Sequence, residues 1–182
     1  FIYGGGESEE WVEDALADAA NENMQVVNLI ETLGEQVKEE EVVEGMEAED
    51  HDHDDAEVDE HIWLSLKNAE ALVQDLASVL AAVDNANENV YTENAKRYTD
   101  ELDKLDAEYA DAVQNAERGI VLFGDRFPFR YLVDDYQIQY YAAFVGCSAE
   151  TEASFETITF LSKKVDELNL PVVLTIESSD QK

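Results

Sequence analysis

From Glu88 to Ala116 the chain runs without a glycine or a proline. Tyr91, Ala95, Tyr98, Leu102, Leu105, Tyr109 and Val113 recur there at steps of three and four. That spacing predicts one amphipathic helix, and at ~1.5 Å per residue it spans roughly 40 Å. Its apolar stripe is narrow, which suits a rigid connector better than the middle of a core. A second amphipathic helix precedes it, from Leu66 through Ala69, Leu72, Val73, Leu76, Val79 and Leu80 to Val83, and ends at the DNAN of residues 84–87.

Strands and helices alternate on both sides of this helical middle. Phe1–Tyr3 reads as a strand already under way, so the chain is expected to be a piece of a longer protein. Gly4–Gly6 make a turn, and Ser8 is expected to cap a helix with Glu9 and Glu10 in its first turn. Trp11, Ala15, Leu16 and Ala19 are its expected buried face. Met24–Ile30 reads as a strand covered on both sides, completing a βαβ unit with a parallel sheet. After the connector, Gly119–Phe123 is expected as a strand, Arg130–Asp135 as a short helix and Tyr140–Val145 as a strand. A helix burying Phe155, Ile158, Leu161, Val165 and Leu168 follows, then a strand at Pro171–Glu177. The fold class is α/β.

Charge narrows the function. The 182 residues carry 44 acids against 11 bases, a formal net charge of -33. Such a surface repels nucleic acid and anionic lipid and attracts cations. One cysteine, Cys147, excludes internal disulfides and cysteine-built zinc sites, and reads as a buried small apolar residue. No apolar run nears the ~20 residues a membrane-spanning helix needs. The motifs of dinucleotide binding, the P-loop, the nucleophile elbow and the zinc proteases are missing, and the chain is not expected to be an enzyme.

All three histidines, His51, His53 and His61, fall in or beside one acidic run. Thirteen of the 22 residues from 39 to 60 are acidic and none is basic, which predicts a mobile, solvated loop. His61 ends that run where apolar sequence resumes. It reads either as a metal ligand or as a polar residue at a helix entrance. His51 and His53, in DHDHDD, read as a weak, transient trap for divalent ions or as plain solvated linker. Carboxylates after the strands, in GDR at 124–126, GCSAETE at 146–152 and ESSD at 177–180, can either hold a metal at a sheet's carboxyl edge or cap the next helices, as Ser148 and Glu150 are expected to do.

The stretch DEHIWLSLKNAEAL resembles the second-ligand segment of the solute-binding proteins of zinc and manganese ABC importers, in which a D-x-H-x-W-L-like motif follows a His- and acid-rich loop. YTENAKRYTDELDKLDAEY is similar to that family's connector helix. IYGGGESEEWVEDAL resembles the end of its first lobe, and FGDRFPFRYLVDDY with AAFVGCSAETEASFETITFLSKKVDELNLPVVLTIESSDQK resembles its second lobe. The likeness covers nearly the whole chain.

It implies two parallel-sheet α/β lobes joined by a long rigid helix, with one metal ion between them. Residues 1–87 would be the end of the N-terminal lobe, 88–117 the connector and 118–182 part of the C-terminal lobe. Of four protein ligands, the first would lie upstream of residue 1 and the fourth beyond residue 182. The second maps onto His61. The family's third ligand, usually histidine, is missing from FGDRFPFRYL, and Asp125, 125 − 61 = 64 residues after His61, is assigned there; Arg126, the neighbouring choice, cannot ligate a metal. An aspartate hardens the site and leaves manganese open, while the histidines of the loop keep zinc first. The implied protein is an extracytoplasmic receptor, periplasmic or anchored to the outer face of the membrane. It would act as a monomer, binding Zn2+ (or Mn2+) and handing it to the permease of an ABC importer. A surface adhesin on the same scaffold and an acidic ion buffer are the alternatives.

Overall fold

The structure is a computed structural model that describes residues 1–21, 23–47, 57–147 and 153–176. It divides into two compact units. Phe1–Val37 and Ile62–Tyr109 form the first; Lys38–His61 and Ala110–Lys182 form the second.

In the first unit β1 (Ile2–Tyr3) and β2 (Val27–Asn28) pair in parallel, with α1 (Trp11–Ala17) between them in the chain. The expected βαβ unit is present but small. β2 stops because the Asn28 side chain accepts the Glu31 N–H at 3.1 Å and starts α2 (Leu29–Leu33), so the apolar run from Met24 to Ile30 is only partly strand. Ser8 lies in a 3-10 turn, Glu7–Glu9, and does not cap α1, whose N-cap is Glu10. The buried residue of α1 is Val12; Trp11, Ala15 and Ala19 are exposed, because the helix is two turns long and presents Val12 and Leu16 inward.

α3 (Leu66–Val83) begins where expected. Ser65 Oγ accepts the Asn68 N–H at 3.2 Å, and the buried Asn68 amide donates to the Ile62 carbonyl at 3.1 Å. α2 packs on α3, and Val12, Val27, Leu33, Ile62, Leu72 and Leu102 are the buried apolar residues described in this unit. α4 (Glu88–Gln114) is the long uninterrupted helix. Of its stripe only Leu102 is buried, while Tyr98, Leu105 and Tyr109 remain exposed. Among the described residues no helix is long and apolar enough to cross a membrane.

The second unit is built on β3 (Ile120–Phe127) and β4 (Gln139–Val145), paired in parallel from Ile120↔Gln139 to Phe127↔Val145. β3 does not stop at Phe123. A bulge between Phe123 and Arg126 absorbs one extra residue and pairing then resumes. The third strand expected at Pro171–Glu177 is, among its described residues, a parallel bridge at Leu174, whose N–H and C=O bond to Leu122 and Gly124. α5 (Arg130–Asp135) and α6 (Phe155–Leu168) complete the unit.

Both faces of the sheet are covered, as a parallel sheet requires. The buried residues form two clusters: Met46, Phe123, Phe127, Val133, Ala142 and Val145 in one, and Leu122, Ala143, Phe144 and Leu161 in the other. α6 turns Thr157 and Leu161 inward, four apart, and leaves Phe155, Ile158 and Leu168 exposed, contrary to the sequence expectation. Its start is set by Ser154, whose Oγ accepts the Thr157 N–H at 3.1 Å.

The acidic run is not a free loop over its described ends. Met46 is buried in the sheet cluster, and Glu47 pairs with Phe144. Glu39 pairs with Val58, and the Glu40 N–H bonds the Glu57 carbonyl at 2.8 Å. Gly45 has φ +81°, and the Phe160 ring occupies the place of its missing side chain. Apolar Val43 and Met46 and the paired backbone outweigh the repulsion among the carboxylates. His51 and His53 lie outside the described residues, as do Ser148 and Glu150.

Candidate metal centre

His61 stands at the end of the segment that returns to the second unit. Two residues earlier, Asp59 is 2% exposed. One of its oxygens, Oδ1, accepts the backbone N–H of His61 at 2.8 Å and lies 3.1 Å from His61 Nδ1. The Asp59 backbone is held as firmly. Its N–H donates to the Lys38 carbonyl at 3.0 Å, and the Tyr131 hydroxyl donates to its carbonyl at 2.8 Å. The same hydroxyl accepts the Lys38 N–H at 3.0 Å. Tyr131 is 1% exposed, and burial raises its phenol above the ordinary value. Beyond the imidazole comes Gly146, just after β4.

A carboxylate only accepts, so an imidazole that bonds to it through Nδ1 does so with its ring proton on that nitrogen. Nε2 then keeps the lone pair that a metal takes. This contact is compatible with a metal ligand and with a polar residue held at a helix entrance.

Asp125 sits elsewhere in the same unit. It lies inside β3, at the bulge, not beyond a strand end. Its Oδ1 accepts the Arg126 N–H at 2.8 Å and its Oδ2 the Ile176 N–H at 3.4 Å. Among the described residues no three His, Cys, Asp or Glu side chains converge into a group that could hold a metal. The contacts described for His61 and for Asp125 involve different neighbours.

Cys147 is exposed, not the buried apolar residue expected. Its N–H donates to Glu40 Oε1 at 3.3 Å. The crowding around its sulfur and the nearby Glu40 and Asp59 carboxylates push the thiol up to about 12, against a lowering hydrogen bond to the Glu60 backbone. Such a thiol is a poor ligand and a poor nucleophile at neutral pH. A groove of about 600 Å3 along α3 and α4, lined by residues such as Ala77, Ala81, Thr92 and Ala95, holds neither histidine nor cysteine.

Sequence reasoning singled out His61 but not the residues packed around it. Asp59 was signalled by the D-x-H spacing. Tyr131 and Gly146 carried no local signal, because they meet the His61 segment only through the tertiary fold.

Two α/β units and a long helix are the elements that the family resemblance implied. The family model described as "Zinc-uptake complex component A periplasmic" matches residues 1–182, and the chain belongs to that family. The manganese ABC transporter substrate-binding lipoprotein PsaA of Streptococcus mitis is 32% identical over 68% of this chain and 40% of its own length. The zinc-binding lipoprotein AdcA of Streptococcus pneumoniae strain R6 is 27% identical over the whole chain, which covers 36% of that protein. A crystal structure of ZnuA shares the fold at 23% identity with a TM-score of 0.73, covering 96% of this chain and 62% of that one. The chain therefore spans well under half the length of these curated relatives. PsaA is named as a substrate-binding lipoprotein and AdcA as a zinc-binding lipoprotein, and neither name describes an enzyme, in agreement with the sequence expectation.

Proposed function

We propose that this chain is part of an extracytoplasmic receptor that captures a divalent transition metal, zinc in the first place, and delivers it to the permease of an ABC importer. The observation that carries the proposal is His61, with Nδ1 against a buried carboxylate, in a chain of the zinc-uptake family. Nε2 of His61 is the ligand. Asp125 is the oxygen ligand of this chain, each of its oxygens having a second lone pair beyond the amide it accepts. The remaining ligands come from parts of the protein outside this chain, and α4 serves as the connector. The relatives' names divide between manganese and zinc. Imidazole coordination together with the histidines of the acidic run favours zinc over manganese here.

The test is metal analysis of the full-length protein by mass spectrometry, with zinc and manganese in competition. One tightly bound zinc ion per molecule is expected, and His61→Ala should lower that affinity more than tenfold. An undiminished affinity in His61→Ala would refute the assignment. His51 and His53 act as transient capture groups. Deleting residues 49–55 should slow uptake at limiting zinc while leaving the equilibrium affinity nearly unchanged; an unaltered rate removes that role.

A further inference from the structure

We infer that Asp59 and Gly146 are positioning residues for His61: Asp59 keeps the ring proton on Nδ1, and Gly146 leaves the space in which the imidazole lies. This rests on the function proposed above and names what sets the geometry of its ligand.

Asp59 clamps one residue twice through one oxygen, the backbone N–H at 2.8 Å and Nδ1 at 3.1 Å. The backbone bond fixes where the ring begins, and the Nδ1 contact fixes how it turns. Asp59 cannot drift, since its own N–H and C=O are held by Lys38 and the buried Tyr131. Side-chain carboxylates that orient a histidine in this way are commonly worth 10–100-fold in metal affinity.

Gly146 supplies the opposite constraint. A β-carbon there would lie 2.9 Å from His61 Cε1, 3.1 Å from Nδ1 and 3.0 Å from the Phe127 carbonyl oxygen. The Phe127 oxygen is backbone within β3 and cannot yield. The imidazole therefore would. Gly146 is not among the glycines with positive φ, so alanine is conformationally admissible and its effect falls on the ring's space.

The experiment uses full-length protein labelled with 15N-histidine. Metal-free NMR of the imidazole nitrogens, with the His61 signals assigned by their loss in His61→Ala, should show the Nδ1–H tautomer in the wild type. Asp59→Ala should mix the tautomers and lower zinc affinity 10–100-fold. Asp59→Asn, whose amide oxygen can still accept from Nδ1, should keep the tautomer and recover most of the affinity. Gly146→Ala should leave the fold intact by circular dichroism and lower zinc affinity at least several-fold. A wild-type Nε2–H tautomer overturns the inference even if His61→Ala confirms the receptor. So does wild-type affinity in Gly146→Ala, a variant that stays informative if Asp59→Ala fails to fold. Undiminished affinity in His61→Ala removes the function proposal and this inference with it.

Discussion

Gly45→Ala should detach the acidic segment from the second unit. Gly45 has φ +81°, a conformation that costs an L-residue about 1–2 kcal/mol. Its new β-carbon would lie 2.0 Å from Phe160 Cδ1 and 2.3 Å from Cε1, so the ring must leave. Phe160 packs edge-on to Tyr141 with centroids 5.8 Å apart, a contact worth about 0.5–1.5 kcal/mol. Lys164, which lies over both rings, loses its seat as well. The total is about 1.5–3.5 kcal/mol, a large share of a typical domain's stability. The assay is urea unfolding followed by circular dichroism. Trp11 and Trp63 both lie in the first unit, so tryptophan fluorescence gives a separate control there. In a Phe160→Ala background the collision is gone, and only the backbone cost of about 1–2 kcal/mol should remain. A cost below about 0.5 kcal/mol in the wild-type background, or an equal cost in both backgrounds, would refute the reasoning.

Tyr131→Phe should destabilise the second unit by about 2 kcal/mol, because it strands the Lys38 N–H and the Asp59 C=O that the hydroxyl serves; a urea midpoint equal to wild type would contradict this. Asp134→Asn should cost less than about 1 kcal/mol at neutral pH, since the pair with Lys38 is partly exposed. The hydrogen bond from Lys38 holds the Asp134 carboxyl below the ordinary 3.8, so its stabilisation is present above that value and lost as pH falls through the lower, folded one. Wild type and variant should thus converge in acid, and a gap that widens below pH 3.8 would reverse the sign.

The elements legible in the sequence were those whose cause is local. Both long helices, α3 and α4, were read from periodicity. Where partners are distant the reading failed. The alternation in FGDRF could not disclose that β3 runs through a bulge, because β4 and Leu174 supply its pairing. Phe155 and Ile158 look like core by composition, yet Thr157 and Leu161 face the sheet. The acid-rich stretch looked unable to pack, yet Met46 at its centre is buried in a cluster assembled from β3, β4 and α5.

By itself, the sequence determined the α/β alternation, the helical middle and His61 as the histidine most worth following, because these depend on residues a few positions apart. Only the tertiary structure decided what the imidazole can do. Tyr131, 72 positions from Asp59, ties down the carboxylate that faces Nδ1. Gly146, from the end of β4, leaves room for the ring. Partners so far apart meet only after the sheet has formed, so the setting of the imidazole is a property of the folded unit.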